Sequence, residues 1–306
     1  MSSSSVTVRA AAKINVALKV GPPRPDGFHP LSTIYQAIGL YDDVTVADAP
    51  HWSLSLDAHH RIDASEVPLD DTNIAMRAGV ALVAHHGVER CASVHINKGI
   101  PVAGGLAGGS ADAAATLVAL DRLWDLNTSD DDLLAIAADL GSDVPFALVG
   151  GTALGTGRGE VVTPLSDAGS WWWVVVESDI GLSTPHVYRD FDRLHIDNYE
   201  DALSAGVRDA LGAGDPMALC DLLLNDLTDA ALSLRPDLAQ VRDDGLASGA
   251  LAALLSGSGP TYLLFCADAE HAKNVMRGMA ARGYERVSAC AAPVAGAHVV
   301  TYDGDL

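Results

Sequence analysis

Three short stretches carry residue types that do chemistry. "PVAGGLAGGSADAA" (Pro101–Ala114) sets Gly104, Gly105, Gly108 and Gly109 just before an alanine-rich run. Glycine is costly to order and is used where backbone takes unusual torsions or approaches something closely. The stretch follows "CASVHIN" (Cys91–Asn97), which reads as a strand, and leads into a helix expected from about Ser110. The first N–H groups of a helix have no internal partner, and with the helix dipole they suit an anion such as phosphate. No Gly-Lys-Ser/Thr follows, so this is not a Walker A loop, and the chain contains no GxGxxG. "GGSAD" approaches a nucleophile elbow but lacks its last glycine. Phosphate binding is the leading reading of the loop, with a structural turn and a serine nucleophile behind it. "LSGSGPTY" (Leu255–Tyr262) is either a second anion-binding nest or a simple hairpin turn. In "LGSDVPFAL", Asp143 sits between Gly141, which ends a helix, and Pro145. A carboxylate held there can act as a general base, or merely cap or face solvent.

Around these stretches the chain reads as strands and helices in both halves. "KINVALKV" (Lys13–Val20) alternates, with Ile14, Val16, Leu18 and Val20 on one face and Lys13, Asn15, Ala17 and Lys19 on the other. "RPDGF" is a turn, and "TIYQAIGL" and "DVTV" are two further strands. Asp71–Gly87 reads as a helix capped by Asp71 or Thr72. Ala113, Leu117, Leu120 and Trp124 mark the buried face of the helix after the glycine loop. Ser129 caps the next helix, with Asp130, Asp131 and Asp132 at its positive end. The second half opens near "SDAGSWWWVVVE", a buried strand with one ring at its edge. "STPHVYRDF" starts a helix capped by Ser183 or Thr184, and further helices are expected around Pro216–Asp226 and Pro236–Leu246. "ALAALL", "TYLLFCAD" and "RVSACAA" are strands, with the helix "AEHAKNVMRGMAARG" before the last. Without strict βαβα alternation the class is α+β, in two domains divided as 1–167 and 168–306.

Composition narrows the partners. The 306 residues carry a net charge of −21, which disfavours nucleic acid and anionic membrane surfaces. A small anionic ligand remains compatible, because local donors outweigh a distant field. Only Lys13, Lys19, Lys98 and Lys273 supply ammonium groups. Cys91, Cys220, Cys266 and Cys290 form no CxxC pair and read as small buried hydrophobes. Without a signal peptide or a long apolar run, a cytoplasmic protein is expected, and the polar "MSSSSV" start is expected to fray.

"PVAGGLAGGSADAA" resembles the phosphate loop of the GHMP kinases, and "LSGSGPT" resembles their C-terminal glycine motif. "AKINVALKVGPPRPDGFHPLSTIYQ" (Ala12–Gln36), "TNIAMRA", "LGSDVPF" and "STPHVY" are similar, in that order, to one branch of the superfamily. That branch transfers the ATP γ-phosphate to the 2-hydroxyl of a cytidine-diphosphate-linked methylerythritol in the non-mevalonate isoprenoid pathway. The resemblance implies an N-terminal ribosomal-protein-S5-like domain that binds ATP and a C-terminal ferredoxin-like substrate domain. It implies ATP and Mg²⁺ as cofactors, and a monomer or weak homodimer. By position, Asp143 would be the base and Lys13 its partner. Asn73, Lys98, Pro101, Val102, Ala103, Gly104, Gly105, Leu106, Ala107, Gly108, Gly109 and Ser110 would form the ATP side, with Ser110 also a candidate metal ligand. Asn15, Phe28, His29, Thr184, Tyr188, Gly257 and Ser258 would form the substrate side. Asp112 stands where many relatives have Asn, and its orientation is open. Another GHMP kinase, of homoserine or mevalonate type, and a non-catalytic nucleotide-binding protein of the same fold are the alternatives.

Overall fold

The computed structural model describes residues 5–60, 62–102, 104–178, 180–194, 203 and 205–301. Its first two strands, β1 (Ser5–Val20) and β2 (Leu31–Ala49), form a long antiparallel pair that runs from Ser5↔Ala47 to Val20↔Leu31. Of the start expected to fray, Ser5 and Val6 instead pair with Ala47 and Val46, and Met1–Ser4 lie outside the described residues. β1 is buried on both faces from Ala10 to Leu18, so the expected apolar/polar alternation is not its governing pattern. Its register shifts between Asn15 and Ala17, and Lys13 and Asn15 stay side by side before the shift. The two strands expected within β2 are one, because Gly39 and Leu40 form a bulge opposite Ala11 and Ala12.

β3 (Ser53–Ala58), α1 (Ile74–His86) and β4 (Cys91–Lys98) follow, then α2 (Gly108–Trp124), α3 (Asp130–Leu140) and α4 (Val144–Val149). β5 (Thr152–Thr156) and β6 (Val161–Pro164) close the first half. The second half runs through β7 (Trp171–Val176), α5 (Thr184–Leu194), α6 (Ala205–Ala213), α7 (Pro216–Cys220) and β8 (Leu224–Asn225). It continues with α8 (Thr228–Leu234), α9 (Leu238–Ala247), β9 (Ala252–Leu255), β10 (Tyr262–Cys266), α10 (Ala269–Ala281), β11 (Val287–Ala292) and β12 (His298–Val300). The helix expected over Pro216–Asp226 stops at Cys220, and β8 takes the end of that stretch. α4, α6 and α8 were not expected.

Two sheets organise these elements. The larger has the order β12-β1-β2-β4-β3, with β5 and β6 continuing from β2 and β8 alongside β1. The smaller is antiparallel, β11-β7-β10-β9. β8 and β12 cross back from the second half to β1. A division near residue 167, in the loop between β6 and β7, is therefore proposed with these two strands as returns.

Local chemistry explains the key termini. α1 is capped by Asn73, whose side chain accepts from the Ala75 N–H, rather than by Asp71 or Thr72. Ser129 caps α3 as expected, accepting from Asp132 N. The apolar face of α2 (Ala113, Leu117, Leu120 and Trp124) is buried in a core that also reaches Trp171, Trp173 and Phe265 of the smaller sheet. Alternation along β7 buries Trp171 and Trp173 and leaves Trp172 half-buried. Cys266 and Cys290 are buried, whereas Cys91 and Cys220 are only half-buried, since each lies at an element's edge.

Candidate active site

β1 supplies Lys13 from inside the fold, with the residue only 7% exposed. Its ammonium donates to Asn15 Oδ1 at 2.9 Å and lies 3.6 Å from Asp143 Oδ2. Asn15 in turn donates to Thr33 Oγ1 at 2.8 Å, and Thr33 donates to the Ala17 carbonyl. This relay fixes the lysine without consuming all three of its protons. Asp143 occupies the residue before α4, and Pro145 suits the first turn there. Its side chain is 30% exposed, so it meets both the lysine and open space. Tyr35, wholly buried on β2, donates its hydroxyl to Asp143 Oδ1 at 3.2 Å. Burial, followed by the Asp143 charge, pushes the Tyr35 hydroxyl well above its usual range, so it remains a donor.

The two glycine-rich loops meet beside this pair. Gly105 has φ +75°, and a Cβ there would lie 2.4 Å from the Ser256 carbonyl. Ser256 Oγ donates to the Gly105 carbonyl at 3.1 Å. Only glycine combines that torsion with that approach. Lys13 N donates to the Leu106 carbonyl at 3.1 Å, which fastens the loop to β1. Ala107 then adopts φ +58° at the N-cap of α2 and offers no side-chain cap. The first N–H groups of α2 are thus left for an external acceptor, as an anion site requires.

A cavity of about 980 Å³ opens over these groups. Lys13, Asn15, Gly105, Ala107, Asp143 and Gly257 line it, together with Phe28, His29, Thr184, Tyr188 and Ser258. A smaller cavity of about 250 Å³ also borders the α2 start, its lining including Asn73, Lys98, Val102, Gly108, Gly109 and Asp112, with Pro101 beside them.

The model of the GHMP kinase N-terminal domain matches residues 73–151, and that of the GHMP kinase C-terminal domain matches 207–285. The 4-diphosphocytidyl-2-C-methyl-D-erythritol kinase of Nocardioides sp. is 59% identical, covering 96% of this chain and all of its own length. The enzyme of that name from Streptomyces avermitilis is 50% identical over 97% of this chain. This chain belongs to the GHMP kinases, in their 4-diphosphocytidyl-2-C-methyl-D-erythritol kinase family. A crystal structure of 4-(cytidine 5'-diphospho)-2C-methyl-D-erythritol kinase superposes with TM-score 0.77 at 30% identity, covering 94% of this chain and 99% of that one. A homoserine kinase from Cytophaga hutchinsonii shares the fold, with TM-score 0.72 at 18% identity over 98% of each chain.

In this GHMP kinase several residues expected at the ATP side turn inward. Leu106 is fully buried in the core, so its backbone rather than its side chain serves the loop. Gly104 packs on Thr261 and lines neither cavity, because a Cβ would lie 2.9 Å from Thr261 Oγ1. Ser110 lines neither cavity among those described. Ala103 lies outside the described residues. Asn73 reaches the smaller cavity, yet its amide is engaged by the Pro68 carbonyl and Ala75 N. Lys98 reaches it too, but its ammonium is held by Asp42 and, at 2.8 Å, by Asp112 Oδ2. Burial works to lower the Lys98 pKa, and the Asp112 and Asp42 charges overcome it and raise it. Asp112 is buried with its carboxyl against Lys98 and borders the smaller cavity beside it. Burial, then the Asp42 charge, raises its carboxyl well above the usual range, and its Oδ1 has no partner.

Also on the cavity wall, Thr184 Oγ1 and Ser258 Oγ lie 2.8 Å apart and join α5 to the second glycine loop. His29 is buried, with its ring centroid 4.9 Å from that of Tyr188. Phe28 is half-exposed, and the Arg158 guanidinium sits 4.9 Å over its ring. Tyr35, Arg158 and Asp192 line the cavity without having been expected there. Tyr35 lay in plain view within a strand, and only its face relative to Lys13 would have marked it. Asp42, Arg158 and Asp192 had no signal in local sequence.

Proposed function

We propose that this chain phosphorylates the 2-hydroxyl of 4-diphosphocytidyl-2-C-methyl-D-erythritol with ATP. The observation that carries the reading is the Lys13–Asp143 pair, 3.6 Å apart at the wall where the α2 start and both glycine loops converge. An alcohol attacks poorly until its proton has an acceptor, and phosphoryl transfer depends mainly on positioning and charge stabilisation. Asp143 accepts that proton. Lys13 pairs with the carboxylate and offsets charge on the moving phosphoryl group, while Tyr35 fixes the second carboxylate oxygen. The backbone N–H groups at the α2 start hold phosphate oxygens. The rings of Phe28 and Tyr188 flank a pyrimidine, and His29 meets its edge. The smaller cavity takes the remainder of the nucleotide, with Lys98 and Asn73 shaping its wall.

Among the described residues no three His, Cys, Asp or Glu side chains gather to hold a metal. Mg²⁺ fits such a site, because it keeps most of its waters and takes phosphate oxygens, with few protein ligands. Ser110, the expected metal ligand, borders neither cavity, so phosphate oxygens and water would hold most of the ion's positions and the ion would neutralise phosphate charge when bound. No described helix is long and apolar enough to cross a membrane. A substrate panel tests the proposal. With ATP, ADP release and a phosphorylated product by mass spectrometry are expected with the cytidine-linked alcohol and not with homoserine or mevalonate. Turnover of either of those would favour another GHMP activity, and ATP binding without turnover would favour a non-catalytic protein.

A further inference from the structure

The histidine in the cavity wall has a partner that the proposed reaction does not use. Asp192, on α5, places its Oδ1 2.7 Å from His29 Nε2. The His29 side chain is 7% exposed and that of Asp192 is 33% exposed. An ionised carboxylate only accepts, so Nε2 must carry the proton. In the neutral ring the other nitrogen, Nδ1, is then an acceptor. Nδ1 has no protein partner among the described residues, and His29 lines the cavity. The ring is further held by Tyr188 at 4.9 Å and, edge-on, by Phe191 at 6.4 Å. Both come from α5, as Asp192 does, so one helix sets the ring's plane and its proton.

We propose that Asp192 is a positioning residue that makes His29 Nδ1 an acceptor and so selects a ligand with an amino group at that edge. Cytosine presents an exocyclic N–H donor where uracil presents a carbonyl oxygen. The fixed acceptor pairs with the first and faces the second oxygen against lone pair. Asp192 thereby discriminates cytidine from uridine without touching either. This rests on the reading that the cavity takes a cytidine diphosphate group.

The test uses CDP and UDP as competing probes, with affinities measured for the intact wild type and for Asp192→Asn. One donor–acceptor mismatch in a closed site gives a CDP preference of about tenfold to a hundredfold in the wild type. An amide can either donate to Nε2 or accept from it, so both tautomers are populated and the preference in Asp192→Asn falls to within about threefold of unity. Turnover separates positioning from folding: the variant keeps kcat close to wild type and raises KM. The nitrogen-15 shifts of His29 report the proton on Nε2 in the wild type and a mixture of tautomers in the variant. A doubly protonated ring in the wild type at neutral pH, or an unchanged CDP preference in the variant, overturns the role of Asp192. Failure of CDP to bind the wild type overturns the cytidine reading itself, and this inference with it.

Discussion

Replacing Gly105 by alanine tests whether the two glycine loops form one phosphate cradle. At φ +75° a Cβ costs about 1–2 kcal/mol in backbone strain. The new carbon would also lie 2.4 Å from the Ser256 carbonyl and 3.2 Å from that of Gly259. Both are backbone atoms in the second loop, so no side chain can swing aside. Overpacking of this kind adds about 1–3 kcal/mol, for a total loss of about 2–5 kcal/mol. Gly87→Ala supplies the comparison, since Gly87 has φ +62° at the end of α1 with nothing within 4 Å of a Cβ. It carries the strain alone, about 1–2 kcal/mol. Urea unfolding of the two variants reads the difference. Gly105→Ala is expected to lose more stability than Gly87→Ala by at least about 1 kcal/mol, and to weaken ATP binding while Gly87→Ala does not. Equal losses with unchanged ATP affinity in both would refute the contact between loops as a working part of the site.

Two other substitutions probe the neighbouring charges. Asp112 holds its proton to higher pH when folded than when unfolded, because burial and Asp42 oppose its charge. Folding therefore takes up a proton, and this group's contribution to stability falls as pH rises above the ordinary carboxylate range. Asp112→Asn is expected to flatten that decline in a series of urea unfolding curves above about pH 4; a decline as steep as in the wild type would contradict it. Tyr35→Phe removes the donor on Asp143 Oδ1 but keeps the ring against Phe146. It is expected to lower kcat about tenfold with little change in melting temperature, read by steady-state kinetics beside calorimetry.

The elements built from local chemistry were legible in the chain. Ser129 with its three aspartates, Pro185 at the start of α5 and the apolar face of α2 follow from capping and period. Lys13 and Asn15 could be placed together because they are two residues apart on one strand, before the bulge interferes. What escaped depends on contacts distant in sequence. Lys98 was expected on the ATP side, and Asp42, 56 residues earlier on β2, holds its ammonium. Asp192 reaches His29 across 163 residues. β8 and β12 are too short to show a period, and only pairing with β1 makes them strands. Leu106 sits in a glycine-rich motif yet fills the core, so its apolar side chain anchors the loop.

The most direct measurement is single-turnover transfer of the ATP γ-phosphate to 4-diphosphocytidyl-2-C-methyl-D-erythritol by the wild type and by Asp143→Asn, each saturated with both ligands. The amide keeps the shape and can still accept from Tyr35, but it cannot take the hydroxyl proton. Loss of a positioned base lowers the transfer rate by about 10²–10⁴-fold. The account predicts a loss in that range with ATP affinity and unfolding midpoint preserved. A transfer rate within a few-fold of wild type would contradict it.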